Sequence, residues 1–211
     1  MTGEGFRVST RVAVLPPVPA LLPGYLGRTD PVADLRDACR EAVAWLVDGA
    51  SRVTVLADPP DEAARRRGIE APLGFRVAQS LLAQAKYDRD IDLTGTAADA
   101  DRLLVLANGT GCRGEKAPGH LDPRSFPYDE RIETALAGGD CAALAGLDAA
   151  LGRDLLAAGI EPLRQVGALR LDVEAADLLY AGDPYGVRYW VATWQCGHAA
   201  GGAAPAPGQF R

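Results

Sequence analysis

Apolar and polar positions fall into blocks whose spacing separates strands from helices. Residues 11–16, RVAVLP, form a β-branched run ended by proline, which predicts a first strand. The next stretch, PPVPALLPGYLG, is too proline-rich for a regular element and predicts a shaped loop. Asp30 and Pro31 then predict a helix start, as N-cap and first helical residue. From there Val32, Leu35, Cys39, Ala42, Val43 and Leu46 recur at helical spacing. A second strand is predicted over 52–58, ending in Asp58 and two prolines, and an amphipathic helix over 73–85. Residues 101–109, DRLLVLANG, are the clearest buried strand and lead into GTGCRGEKAPGHLDP. Helices are predicted over 128–137 and 140–158, the second opened by Asp140 and stopped by Gly159. The alternating aromatic and β-branched run 186–194 predicts a last strand.

Strands alternating with helices predict a single α/β domain with a central, mainly parallel or mixed sheet flanked by helices. Its expected limits are 11–195, with a flexible N-terminus over 1–10 and a disordered Ala/Gly/Pro-rich tail over 196–211. In such sheets ligands bind at the carboxyl ends of strands. The exits to inspect are therefore LPPVPALLP, ADPPDE and ANGTGCRGEK.

Composition narrows the function classes. A net charge of −6 argues against general nucleic-acid binding and against attraction to anionic membranes. No apolar run approaches the ~20 residues that span a bilayer, and the first residues do not read as a secretory signal, so a cytoplasmic protein is expected. The four cysteines, Cys39, Cys112, Cys141 and Cys196, have no CxxC spacing, which argues for free thiols. The three arginines of the polar connection after Asp61 read as a solvated face.

Candidate chemistry concentrates in the loop after the 101–109 strand. Gly109, Gly111 and Gly114 match neither a P-loop nor a dinucleotide fingerprint, and a tight turn accounts for them. Cys112 beside Arg113, with His120 downstream, has the residue types of a thiol site. The carboxylates Asp58, Asp61, Glu62, Asp122 and Asp177 offer oxygen ligands but no distinctive spacing.

Three segments, AVLPPVPALLPGY, NGTGCRGEKAPGHLDPRSFPYDERIETALAGGD and LLYAGDPYGVRYWVATW, together resemble the LigB-like superfamily, the catalytic chains of class III extradiol ring-cleavage dioxygenases. The likeness is to an uncharacterised, high-GC bacterial branch and spans about Val12 to Trp194, with EKAPG and PYG its most specific parts. The resemblance implies an α/β fold with a mixed sheet. In active relatives it also implies Fe(II) held by two histidines and a carboxylate, with a further acid/base histidine. Carried onto this chain, the two metal histidines fall on Pro17 and Pro59, and the acid/base histidine on Cys112 or Arg113. The carboxylate falls on Asp177, or on Glu174 as second choice. Proline has no side-chain donor, so the resemblance implies a degenerate metal site, no bound cofactor and loss of ring cleavage.

The leading expectation is a cleft that retains a small, anionic ligand or a partner. Asn108, Thr110, Cys112, Arg113, Glu115 and Lys116 would form its wall, completed by Asp58, Asp177 and Tyr185. Two other readings stand beside it. One is an enzyme of altered chemistry, using Asp58 and Asp177 on a metal or Cys112 with His120. The other is an assembly role, with the PYGVRYW segment at a homo-oligomer interface.

Overall fold

The computed structural model describes residues 9–25, 30–60, 66, 71–93, 97 and 100–197. The expectations for Asp61, Glu62, the first eight residues and the tail from His198 lie outside these. The elements, in chain order, are β1 (Thr10–Leu15), α1 (Ala33–Val47), β2 (Arg52–Leu56), α2 (Leu73–Gln84), β3 (Asp90–Asp92) and β4 (Arg102–Leu106). They continue with α3 (Ser125–Gly138), α4 (Cys141–Ala145), α5 (Ala149–Asp154), α6 (Ile160–Ala168), β5 (Asp172–Gly182) and β6 (Tyr189–Gly197).

The strands form one mixed sheet in the order β3-β2-β4-β1-β6-β5. The first four run parallel, and β6 and β5 close the far side as an antiparallel pair. Alternate residues of each central strand feed opposite faces, as a pleated strand requires. Ala13, Leu15, Val53, Val55, Leu104 and Leu106 pack under α1 and α2. Val12, Val14, Leu103, Val105, Trp190 and Trp194 pack under the helices from α3 to α6. The α/β class expected from the pattern is the fold observed.

Several boundaries differ from the expectation. Asp30 does not cap α1 directly: its Oδ1 accepts the Val32 N–H at 3.2 Å, just before the helix begins. The proline-rich loop contains two 3-10 turns, Pro19–Leu21 and Pro23–Tyr25. The helix expected over 140–158 is two short ones. Asp148 breaks it by accepting the Ala150 and Leu151 N–H groups at 2.9 and 3.0 Å, a side-chain cap that starts α5 afresh. Gly159, expected to stop a helix, instead opens α6 in the left-handed conformation (φ 75°). Both ends of the domain extend further than expected, because Thr10 and Cys196 pair across β1 and β6.

The topology places a crevice. From β1 the chain crosses to α1 on one face; from its parallel neighbour β4 it crosses to α3 on the other. Loops that diverge between adjacent parallel strands leave a gap at the strands' carboxyl ends.

Candidate ligand cleft

A cleft of about 540 Å³ occupies that gap, within the ~300–1,000 Å³ typical of small-molecule sites. Its described lining comes from three of the four parallel-strand exits: Pro17 and Pro19 after β1, Ala57 to Pro60 after β2, and Leu106 at the end of β4. The first turn of α2, Tyr25 and Ala158 complete it. Two side-chain interactions hold the outer lip. Buried Arg36 of α1 donates from Nε to Asp30 Oδ2 at 2.9 Å and from Nη2 to the Ala20 carbonyl at 2.7 Å. The proline-rich loop is thereby tied down onto α1. The inner edge of α2 approaches closely because residue 74 is glycine; a Cβ there would lie 2.8 Å from Ala57 Cβ and 3.3 Å from Leu106 Cβ.

Asp58 and Arg76 are the charged residues of the described lining. Asp58 is half-buried, and its Oδ2 accepts the Gly159 N–H at 2.5 Å, joining the β2 exit to the start of α6. Desolvation pushes its carboxyl above the ordinary value and Glu161 adds repulsion, while the Gly159 hydrogen bond opposes both. Arg76 is exposed and makes no ion pair among the described residues. A raised carboxyl favours folding only while protonated, and that advantage disappears as pH rises through the folded-state value. Asp58→Asn, which keeps an acceptor for the Gly159 N–H, is therefore expected to raise the melting temperature at pH 7. The gain should shrink toward pH 3, as read by calorimetry at both pH values; an unchanged gain at pH 3 would contradict this.

The glycine-rich loop after β4 turns away from the cleft into a buried network. Asp129 of α3 accepts the Thr110 N–H and Oγ1–H, both at 2.8 Å, and Arg113 Nη1 at 3.0 Å. Burial pushes the Asp129 carboxyl up, and these donors pull it back. Arg113 also donates from Nε to Asp183 at 2.8 Å and stacks over Phe126 at 4.6 Å. Next to this, Glu133 accepts Trp190 Nε1 at 3.0 Å and a two-nitrogen contact from Arg188. Gly109 is needed where these groups converge, since a Cβ would lie 2.5 Å from Asp129 Oδ1 and 2.6 Å from Trp190. Asn108 is likewise inward: its amide donates to the Gly109 carbonyl at 2.8 Å, and its backbone bridges to Ala158.

The single wall expected from the sequence is thus divided. Of its members, Asp58 lines the cleft, while Asn108, Thr110 and Arg113 are bonded within the protein. Glu115, Lys116 and Tyr185 border a separate surface depression with Pro118 and Pro184. The thiol dyad is not formed. Cys112 is buried, its Sγ lies 3.4 Å from the Leu155 carbonyl, and burial raises its pKa, which disfavours the reactive thiolate. His120 is exposed and faces the Glu115 carbonyl instead.

Nor do Asp58 and Asp177 meet. Asp177 is exposed on the edge strand β5, and β4, β1 and β6 lie between β5 and β2, the strand that leads to Asp58. Glu174 is exposed on the same edge strand. Pro17 and Pro59 do border one cleft. A facial Fe(II) site needs two imidazoles and a carboxylate; the two prolines offer no donor and Asp58 offers one carboxylate. Among the described residues no three His, Cys, Asp or Glu side chains form a group able to hold a metal. Among the described residues, the donors at this cleft do not fit the iron of the resembled enzymes.

Arg76, Tyr25 and Ala158 were not anticipated. Arg76 sits on the polar side of an ordinary amphipathic helix, and Ala158 carries no chemistry of its own. Only the tertiary crossing of the sheet brings them beside Asp58. Among the described residues no helix is long and apolar enough to cross a membrane. No protein-family model matches the chain, and no curated protein matches it either.

Proposed function

We propose that this protein is a small-molecule-binding α/β domain of LigB-like descent that has lost its iron site and ring-cleaving activity. Its ligand occupies the cleft between the β1, β2 and β4 exits and carries an anionic group. The observation that carries this reading is the cleft itself: a 540 Å³ space at the carboxyl ends of parallel strands, walled by prolines and Leu73, with Arg76 at its border. Proline rings and Leu73 give rigid apolar contact at little entropic cost, which suits a compact apolar body. The guanidinium of Arg76 supplies the counter-charge for a carboxylate or similar anion. The descent is supported by the mixed sheet and by the meeting of Pro17 and Pro59 at one cleft, where the resemblance puts two metal histidines.

Isothermal titration with benzoate and 4-methylpentanoate tests the assignment. Both are expected to bind the wild-type protein, and Arg76→Ala should weaken them about five- to tenfold, the size of one partly solvated charged hydrogen bond. Ala71→Trp, which places a large side chain at an exposed lining position, should abolish binding without unfolding the protein. Absence of binding to the wild type, or equal affinity in Arg76→Ala, would overturn the reading.

A further inference from the structure

The cleft holds a second polar feature that an anionic ligand alone leaves unused. Asp58 spends one carboxylate oxygen on the Gly159 N–H, and its other oxygen, Oδ1, accepts no hydrogen bond among the described residues. Asp58 is a lining residue of the cleft. Glu161, on the first turn of α6, adds weaker repulsion, its own Oε1 accepting Arg164 Nη1 at 3.1 Å. A half-desolvated carboxylate in a cleft is best satisfied by a cation that can also donate hydrogen bonds. Arg76 makes the opposite demand from α2.

We propose that the cleft recognises a small zwitterion, an apolar amino acid or dipeptide, with its ammonium on Asp58 Oδ1 and its carboxylate on Arg76. This rests on the cleft being a ligand site, and it adds the ligand's chemical class. The prolines, Leu73 and Tyr25 then contact the apolar side chains, and the cleft volume accommodates two residues of aliphatic size. Binding involves no covalent step.

Titration calorimetry with three matched probes separates the two charges: leucyl-leucine, N-acetyl-leucyl-leucine without the ammonium, and leucyl-leucinamide without the carboxylate. Leucyl-leucine is expected to bind wild-type protein about tenfold more tightly than either analogue, the gain of one charge-assisted hydrogen bond. In Asp58→Asn the preference over the N-acetyl probe should vanish while the preference over the amide remains; Arg76→Ala should do the reverse. Equal affinity of leucyl-leucine and its N-acetyl form, with benzoate still bound, overturns the zwitterion and leaves the anion cleft standing. Failure of benzoate, 4-methylpentanoate and all three peptides to bind removes both.

Discussion

Replacing Gly159 by alanine is expected to destabilise the protein by about 3–5 kcal/mol, combining left-handed strain with a steric clash against backbone. For a chain of this length that lowers the melting temperature by roughly 10 °C. Gly159 has φ 75°, and a Cβ there would overlap the Leu106 carbonyl oxygen and lie 2.5 Å from Ala107 Cα. No rotamer change relieves contact with backbone. The segment would have to retreat from the end of β4, loosening both the Asn108–Ala158 bridge and the hydrogen bond to Asp58. Gly49 provides the control, because it has φ 68° but open space around its missing Cβ. Gly49→Ala should cost only about 1 kcal/mol, the strain alone. Equal losses in denaturant titrations of the two variants would show that the crowding at Gly159 is relieved without cost.

The second large effect belongs to Asp129. Asp129→Ala removes the acceptor for three donors, two from Thr110 and one from Arg113, in a place where only 1 % of the residue is exposed. Breaking a buried, hydrogen-bonded charge pair from one side costs about 3–5 kcal/mol, because the remaining groups stay desolvated without partners. Asp129→Asn keeps the shape and one acceptor oxygen, and should lose less than the alanine variant. If chemical denaturation finds Asp129→Ala within about 1 kcal/mol of wild type, well under that cost, the network is not what holds the glycine-rich loop. The same network explains why Arg113 is a poor ligand group: its guanidinium is already committed to Asp129 and Asp183.

Central strands were legible in the amino-acid pattern because burial on both faces leaves a continuous apolar run, as in RVTVL and RLLVL. β5 was not. It is an edge strand with acidic residues facing solvent, and register shifts at Val173/Ala175 and Leu178/Tyr180 break its alternation. The three-residue β3 is too short to show a period. The α4–α5 break was hidden by alanine and leucine on both sides, with Gly146, the C-cap of α4, and Asp148 its markers. At the site, chain order and strand direction sufficed to pick out the exits that carry Pro17, Asp58 and Pro59, and the resemblance singled out the two prolines. The glycine-rich loop misled because reactive side chains look alike in sequence whether they face a cleft or one another. Only packing distinguishes Arg76, which has no ion-pair partner among the described residues, from Arg113, which has two.

The position of β6 also governs the order in which the molecule can assemble. This strand lies inside the sheet, between β1 and β5, and brings Trp190 and Trp194 into the core. Its pairing joins the first of the described strands to the last; Arg11 and Gln195 bond across 184 residues. During synthesis, β1 therefore waits with one edge unpaired until residue 197 has been made. Closing so long a loop is slow, and an unpaired strand edge invites pairing with other chains. The late arrival of one strand is expected to slow folding and to lengthen the interval in which aggregation competes with it.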